Sequence, residues 1–400
     1  MSVLSHPRAI LAAGCLILGL NLGVRQTLSL LIPDMVAATS LTLTGVGLAF
    51  AIQNLMWGLA SPFAGILADR YGTGRVLAIG ALLYSLSLIG CAWVSYNWQL
   101  HMLLGIVLGL GVGATTFGLV LGAVGRAFPP QKRAQALGLA SAGGSLGQFL
   151  MAPLLDLLNR ELGWQDAYIF LGLLCLTIIP AAYLLKGKAQ LGVQAPSQSI
   201  SQALRQAGQD RNYWLLNMGF FVCGFHVAFI ATYLPAFVSL CGLPSQVSAQ
   251  GLAMIGLANI VGTLGAGYLG SRYRPKNLLS LIYGLRALVI LVFWLAPKTQ
   301  ATILLFSAAM GLLWLSTVPL TSGTVANLFG PTYMATLFGV VMLSHQIGGF
   351  FGAFLGGWVM ELTGSFDLMW WLSIGLGLFA MFIHLPIKDQ DRFSELAVAK

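Results

Sequence analysis

The sequence predicts an all-α integral membrane protein with twelve transmembrane helices in two six-helix bundles, related by a parallel internal repeat. Three observations predict it. Of the 400 residues, 58% are hydrophobic and 8% charged, whereas soluble domains are roughly 45–50% apolar and about 25% charged. That surplus of apolar surface must face lipid, because even large soluble domains leave much of their area in water. The Lys and Arg residues gather in alternate loops, and segments offset by 201 or 202 residues match one another.

A spanning helix needs about 20 apolar residues. The apolar runs predict α1 (9–33), α2 (43–67), α3 (76–96), α4 (99–125), α5 (135–158) and α6 (167–186). A second set follows: α7 (213–239), α8 (246–270), α9 (277–296), α10 (301–326), α11 (337–360) and α12 (368–386). The first run begins after Arg8 and continues through Ile32 without a small-residue cleavage site, so it reads as a retained helix and not as a signal peptide. Gly187 to Asn212 is rich in Gln, Ser, Ala and Gly and too polar to span. The chain therefore divides into an N-terminal bundle (1–186), a cytoplasmic linker (187–212), a C-terminal bundle (213–386) and a cytoplasmic tail (387–400).

Lys and Arg favour cytoplasmic loops. With both termini inside, the inner loops hold 16 basic residues and the outer loops hold Arg160 and Lys298 alone. Localisation in the cell's inner membrane with cytoplasmic termini follows as the expectation. The net charge of +9 is a matter of topology and not of nucleic-acid binding, because it is spread over short loops. The five cysteines, Cys15, Cys91, Cys175, Cys223 and Cys241, show no CxxC pair and no metal-ligand spacing, and read as small hydrophobes in helices.

Transporters are commonly built from repeats. Gly65-Ile-Leu-Ala-Asp69-Arg70-Tyr71 falls on Gly267-Tyr-Leu-Gly-Ser271-Arg272-Tyr273, and Phe128-Pro-Pro130 on Phe329-Gly-Pro331. Thr115-Thr116 fall on Ser316-Thr317, Gly147 on Gly348 and Asp166 on Asp367. One offset persists from the second helix to the loop before the last. Six spans return the chain to its starting side, so the two copies are parallel.

On these residues the sequence resembles the major facilitator superfamily over nearly its whole length. The signature after α2 stands as Gly65-Ile-Leu-Ala-Asp69-Arg70-Tyr-Gly72-Thr-Gly-Arg75, with the last basic residue delayed by Thr73-Gly74 and Asp69 replaced by Ser271 in the second copy. The resemblance implies a conformational latch of Gly65, Asp69, Arg70, Arg75, Gly267 and Arg272, remade as two halves rock. It implies also that α1, α4, α7 and α10 line a central cavity. Gly138 to Phe149 in α5 and Phe221 to Pro235 in α7 look like the bacterial branch akin to monocarboxylate and oxalate/formate transporters. The arginine that animal monocarboxylate transporters carry in the eighth helix is absent, since Asn259-Ile-Val-Gly-Thr263 stands there.

A charge at membrane depth is costly and marks function. Arg25 lies deep in α1, and its planar fork suits a carboxylate; the other reading satisfies it with carbonyls or with Asp34. Arg286, in the peripheral α9, reads as a structural charge paired with carbonyls. All eleven acids lie in loops or near helix ends, so the cavity is expected to be net positive and to favour an anion. His226 in α7 and His345 in α11 are the intramembrane groups able to titrate near neutrality, and His226 is placed to face Arg25 across the cavity. Asn54, Thr115, Thr116, Gln148, Tyr233, Ser316 and Thr317 complete the candidate substrate contacts, although hydroxyls often bond back to their own helix.

The sequence thus predicts a secondary transporter that moves a small organic anion by alternating access, as a monomer in a lipid bilayer, with a proton or other ion as coupling partner. No cofactor, metal, nucleic acid or enzymatic activity is expected. Two alternatives stand beside it: an exporter of amphipathic drugs or metabolites, and a sensor of the same fold that binds without transporting.

Overall fold

A computed structural model describes residues 6–186, 200–330 and 334–388. Twelve long helices run through them. They are α1 (Pro7–Ala38), α2 (Leu43–Tyr71), α3 (Thr73–Cys91), α4 (Asn97–Ala127), α5 (Pro130–Leu162) and α6 (Trp164–Leu184). After the linker come α7 (Arg211–Leu240), α8 (Ser245–Gly270), α9 (Pro275–Leu295), α10 (Gln300–Phe329), α11 (Met334–Thr363) and α12 (Asp367–His384). Eleven of them are long and apolar enough to cross a membrane by length and composition.

The twelfth is α5, whose Gly138-to-Gln148 stretch is made of small and polar residues. It packs against α1 on one side and α8 on the other. Gly143 lies so close to α1 that a Cβ there would meet the Cys15 backbone at 2.8 Å, and Gly147 meets Gly19. Small residues let helices approach closely within lipid. The second half repeats the arrangement, since Gly348 and Gly352 of α11 press on Phe221 and Phe225 of α7. These contacts stand at the repeat offset read from the sequence.

The linker differs in part from its sequence reading. Residues 187–199 lie outside the described ones, as do Lys188, Arg392, Lys400 and Pro331. Ile200–Gln209 is a helix, with Ala203 and Ala207 buried and its body set against α7 and α11. Its Ala-Leu-Ala face repeats at helical spacing, a pattern too short and polar to read as a span.

The halves meet along two seams, α2 with α11 and α5 with α8. The end of the bundle carrying the linker helix is here called the linker side, and the opposite end the far side. At the far side Glu361 of α11 accepts from the Thr44 backbone N–H (2.9 Å) and hydroxyl (2.5 Å) at the start of α2. Further in, Asn54 touches Gly349 and Gly58 touches Gln346. On the second seam Gln148 Nε2 donates to the Leu252 carbonyl (3.2 Å), and Asn259 Nδ2 to Ser145 Oγ (2.8 Å). Toward the linker side the same stripes continue to Gly65, Gly339, Gly138 and Gly267, and none of these has a neighbour within 4 Å of its Cβ position. The halves are closed on the far side and parted on the linker side.

Candidate functional site

Two helices are interrupted at mid-depth, and the interruptions match in the repeat. α4 passes through a π-helical stretch, His101–Val107, then breaks at Thr115-Thr116 before resuming as Phe117–Ala127. α10 breaks between Leu313 and Thr317. Breaks in membrane helices free backbone groups that other groups must satisfy.

In the N-terminal half the break is held by neutral groups. Asn21 Nδ2 donates to Thr115 Oγ1 (2.5 Å), and the Tyr84 hydroxyl donates to the Asn21 carbonyl (2.9 Å). In the C-terminal half Cys223 and Arg286 stand 202 residues on from Asn21 and Tyr84, and Thr317 is the hydroxyl at the break. Cys223 Sγ lies 3.3 Å from Thr317 Oγ1. Arg286 donates from Nε (3.2 Å) and Nη2 (2.6 Å) to the Leu313 carbonyl, and from Nη2 to that of Trp314. Arg286 is 0% exposed.

Arg25 is 8% exposed and engages α2. Its Nη2 donates to Asn54 Oδ1 (2.5 Å), its guanidinium lies 4.6 Å from the centre of the Trp57 ring, and Nε has no partner. Asn54 anchors itself through Nδ2 to the Phe50 carbonyl (2.8 Å) and abuts Gly349 of the other half. Asp34 accepts instead from Asn159 Nδ2 (2.5 Å), so the arginine's polar partner is an amide. Across the seam, Gln346 Oε1 and His345 Nδ1 are buried without partners, and the His345 ring lies 4.9 Å from that of Phe220.

The other sequence candidates are distributed differently from the expectation. His226 is not set opposite Arg25: its Nε2 meets the Ser373 carbonyl of α12 at 2.8 Å. Thr115 and Ser316 bond back to Gly111 (2.8 Å) and Leu312 (2.6 Å) carbonyls. The Tyr233 hydroxyl donates to the Ala353 carbonyl (2.6 Å), and Gln148 bridges the halves. Thr116 lines a linker-side cavity of about 230 Å³ with Ser61, Gly65, Thr73, Gly118 and Arg126. Arg126 Nη2 donates to Thr73 Oγ1 (2.9 Å).

Of the latch residues, Arg70 and Arg75 are exposed, and Arg70 and Arg272 lie over the rings of Tyr71 (5.3 Å) and Tyr268 (4.4 Å). The Asp69 side chain lies outside the described residues. Sequence reasoning overlooked Asn21, Tyr84, Trp57 and the Glu361–Thr44 pair. Carrying the repeat offset through α1 and α3 would have paired Asn21 with Cys223 and Tyr84 with Arg286.

Two bundles joined at a far-side seam, with broken helices and a buried arginine between them, define a multi-pass membrane transporter. The chain belongs to the Major Facilitator Superfamily, whose family model matches residues 14–353. Monocarboxylate transporter 11 of Mus musculus is 27% identical over 388 residues, covering 94% of this chain and 86% of that protein. An MFS-type transporter of Bacillus subtilis (strain 168), YcxA, is 24% identical, covering 88% of each. Among solved structures, the nucleoside transporter NupG superposes with a TM-score of 0.78 at 15% identity, over 96% of this chain and 99% of that one; this likeness concerns the fold.

Proposed function

We propose that the protein carries a small organic anion of monocarboxylate type across the cell's inner membrane by alternating access, acting as a monomer with its linker side cytoplasmic. The observation that carries this reading is Arg25: deep in the bundle, held by an amide and a ring, with Nε unpartnered and no carboxylate bonded to it. A guanidinium so placed keeps its charge available to a ligand. The names of the mammalian relatives agree with a carboxylate cargo. Asn54 fixes the fork, and Gln346 offers a polar group from the other half at the same seam, while His345 faces α7 within its own half.

The parted linker side is one end state of the cycle. In the other, the stripes ending in Gly65, Gly339, Gly138 and Gly267 pack together, and the linker-side helix ends and turns bearing Asp69, Arg70, Arg75 and Arg272 form the latch. A proton or another ion serves as the coupling partner. The test is a ligand-stabilisation screen of the purified protein with a panel of carboxylates, followed by counterflow in proteoliposomes. A carboxylate that raises Tm and exchanges across the vesicle supports the proposal. Neutral or cationic ligands doing so, with every carboxylate inert, would refute it.

A further inference from the structure

Among the described residues no carboxylate bonds to Arg286, and the acidic group beside it is the Cys223 thiol, 3.3 Å from Thr317 Oγ1. The arginine is fully buried; Nε and Nη2 are spent on the carbonyls freed at the α10 break, and Nη1 has no partner. Arg160 pairs with Asp156 near the far-side end of α5, but no described carboxylate reaches Arg286. Carbonyl dipoles satisfy donors without cancelling a buried charge, and an uncompensated one is expensive.

The same break presents a second feature. The resumed helix, Thr317–Phe329, is 13 residues long and begins without a side-chain cap. In its first turn the Val318 N–H is taken by the Leu315 carbonyl (3.0 Å) and Pro319 has none, so the turn contributes the positive end of the helix and not a row of free donors. That turn holds Thr317, and one turn on, the buried Thr321 Oγ1 has no partner; nor has the hydroxyl of Tyr283, whose ring lies 5.3 Å from the Arg286 guanidinium. An unpaired guanidinium N–H and two unpaired hydroxyls are gathered near the break.

The N-terminal half shows that the break does not itself require a cation. There Tyr84 and Asn21 hold the matching interruption with neutral bonds. The C-terminal half departs from its own repeat by placing a charge where the other has a phenol.

We infer that the C-terminal half binds a small inorganic monoanion of the chloride class, at the start of Thr317–Phe329 against Nη1 of Arg286. The ion supplies the missing negative charge and accepts from donors that otherwise lack partners, as anions do at helix N-termini. This site is separate from Arg25, which lies in the other half.

The experiment is a thermal melt of the purified protein in sodium sulfate, titrated with sodium bromide at constant ionic strength, with anomalous diffraction from bromide-soaked crystals. The expected results are a saturable rise in Tm of at least about 3 °C and a bromide peak beside Nη1. The rise is retained in Arg25→Gln and lost in Arg286→Gln. Equal melting in sulfate and bromide together with no peak overturns the inference, as does a rise that survives Arg286→Gln. Should Arg286→Gln fail to fold, the bromide titration and peak in the unaltered protein decide.

Discussion

Glu361 and Thr44 lie 317 residues apart in sequence, yet one carboxylate takes both the backbone N–H and the hydroxyl that open α2. The bond joins the two halves at the far side, so the halves cannot part there without breaking it. A charge-assisted bond of this type contributes about 1.5–3 kcal/mol.

Glu361→Gln is therefore expected to shift the conformational equilibrium toward far-side opening by roughly tenfold or more. Spin labels replacing the exposed Trp93 and Leu295, in a cysteine-free background, report the change as a longer distance population. An unchanged distribution removes Glu361 from the gate.

Arg25→Lys keeps the charge but loses the planar fork that Asn54 and Trp57 position. Binding of whichever carboxylate stabilises the protein should weaken by about tenfold or more, with Tm of the unliganded protein changed little. Arg25→Gln should weaken it further. Isothermal titration measures both, and equal affinity in Arg25→Lys would sink the anion site.

His226→Gln should leave the pH profile of transport unchanged while lowering stability by about 1 kcal/mol. The ring nitrogen Nε2 already faces the Ser373 carbonyl, which only an N–H can satisfy, so its proton is spent on a structural bond. Counterflow rates measured between pH 5.5 and 8 decide the matter. A flattened profile would return His226 to the proton path.

Gly147→Val should be among the more destabilising single changes, costing roughly 3 kcal/mol or more, because even a Cβ there runs into the Gly19 backbone of α1 and overpacked sites relax poorly. Gly65→Val should leave Tm nearly unchanged, since that position has open space, yet slow transport if the linker side must close over it. The contrast separates packing within a half from packing between halves.

Much of this architecture was legible because its causes are local. Apolar runs of membrane length mark the twelve helices, although α5 falls short of the others in composition. The repeat could be read because Pro, Gly and charged residues keep one offset. The Asn21–Thr115 and Cys223–Thr317 contacts were not legible in the same way, since each depends on how deeply one helix slides along another. Thr115 and Ser316 looked like cavity groups by depth alone, but a broken helix has its own carbonyls to satisfy. His226 was misplaced for a related reason: depth fixes a residue's level and leaves its azimuth open, and half a turn separates facing Arg25 from facing α12.

The composition of α5 has a consequence for how the protein is made. Its buried glycines and glutamine and half-buried serines suit a helix lodged between α1 and α8, but they disfavour entry into hydrocarbon. The ribosome delivers α5 long before α8 exists. During that interval only α1, already threaded and lined with Gly19 and Gly23, can shelter the polar face. Biogenesis of the first half should therefore hinge on these two helices leaving the insertion machinery together, and defects in their fit should appear as failed integration before they appear as failed transport.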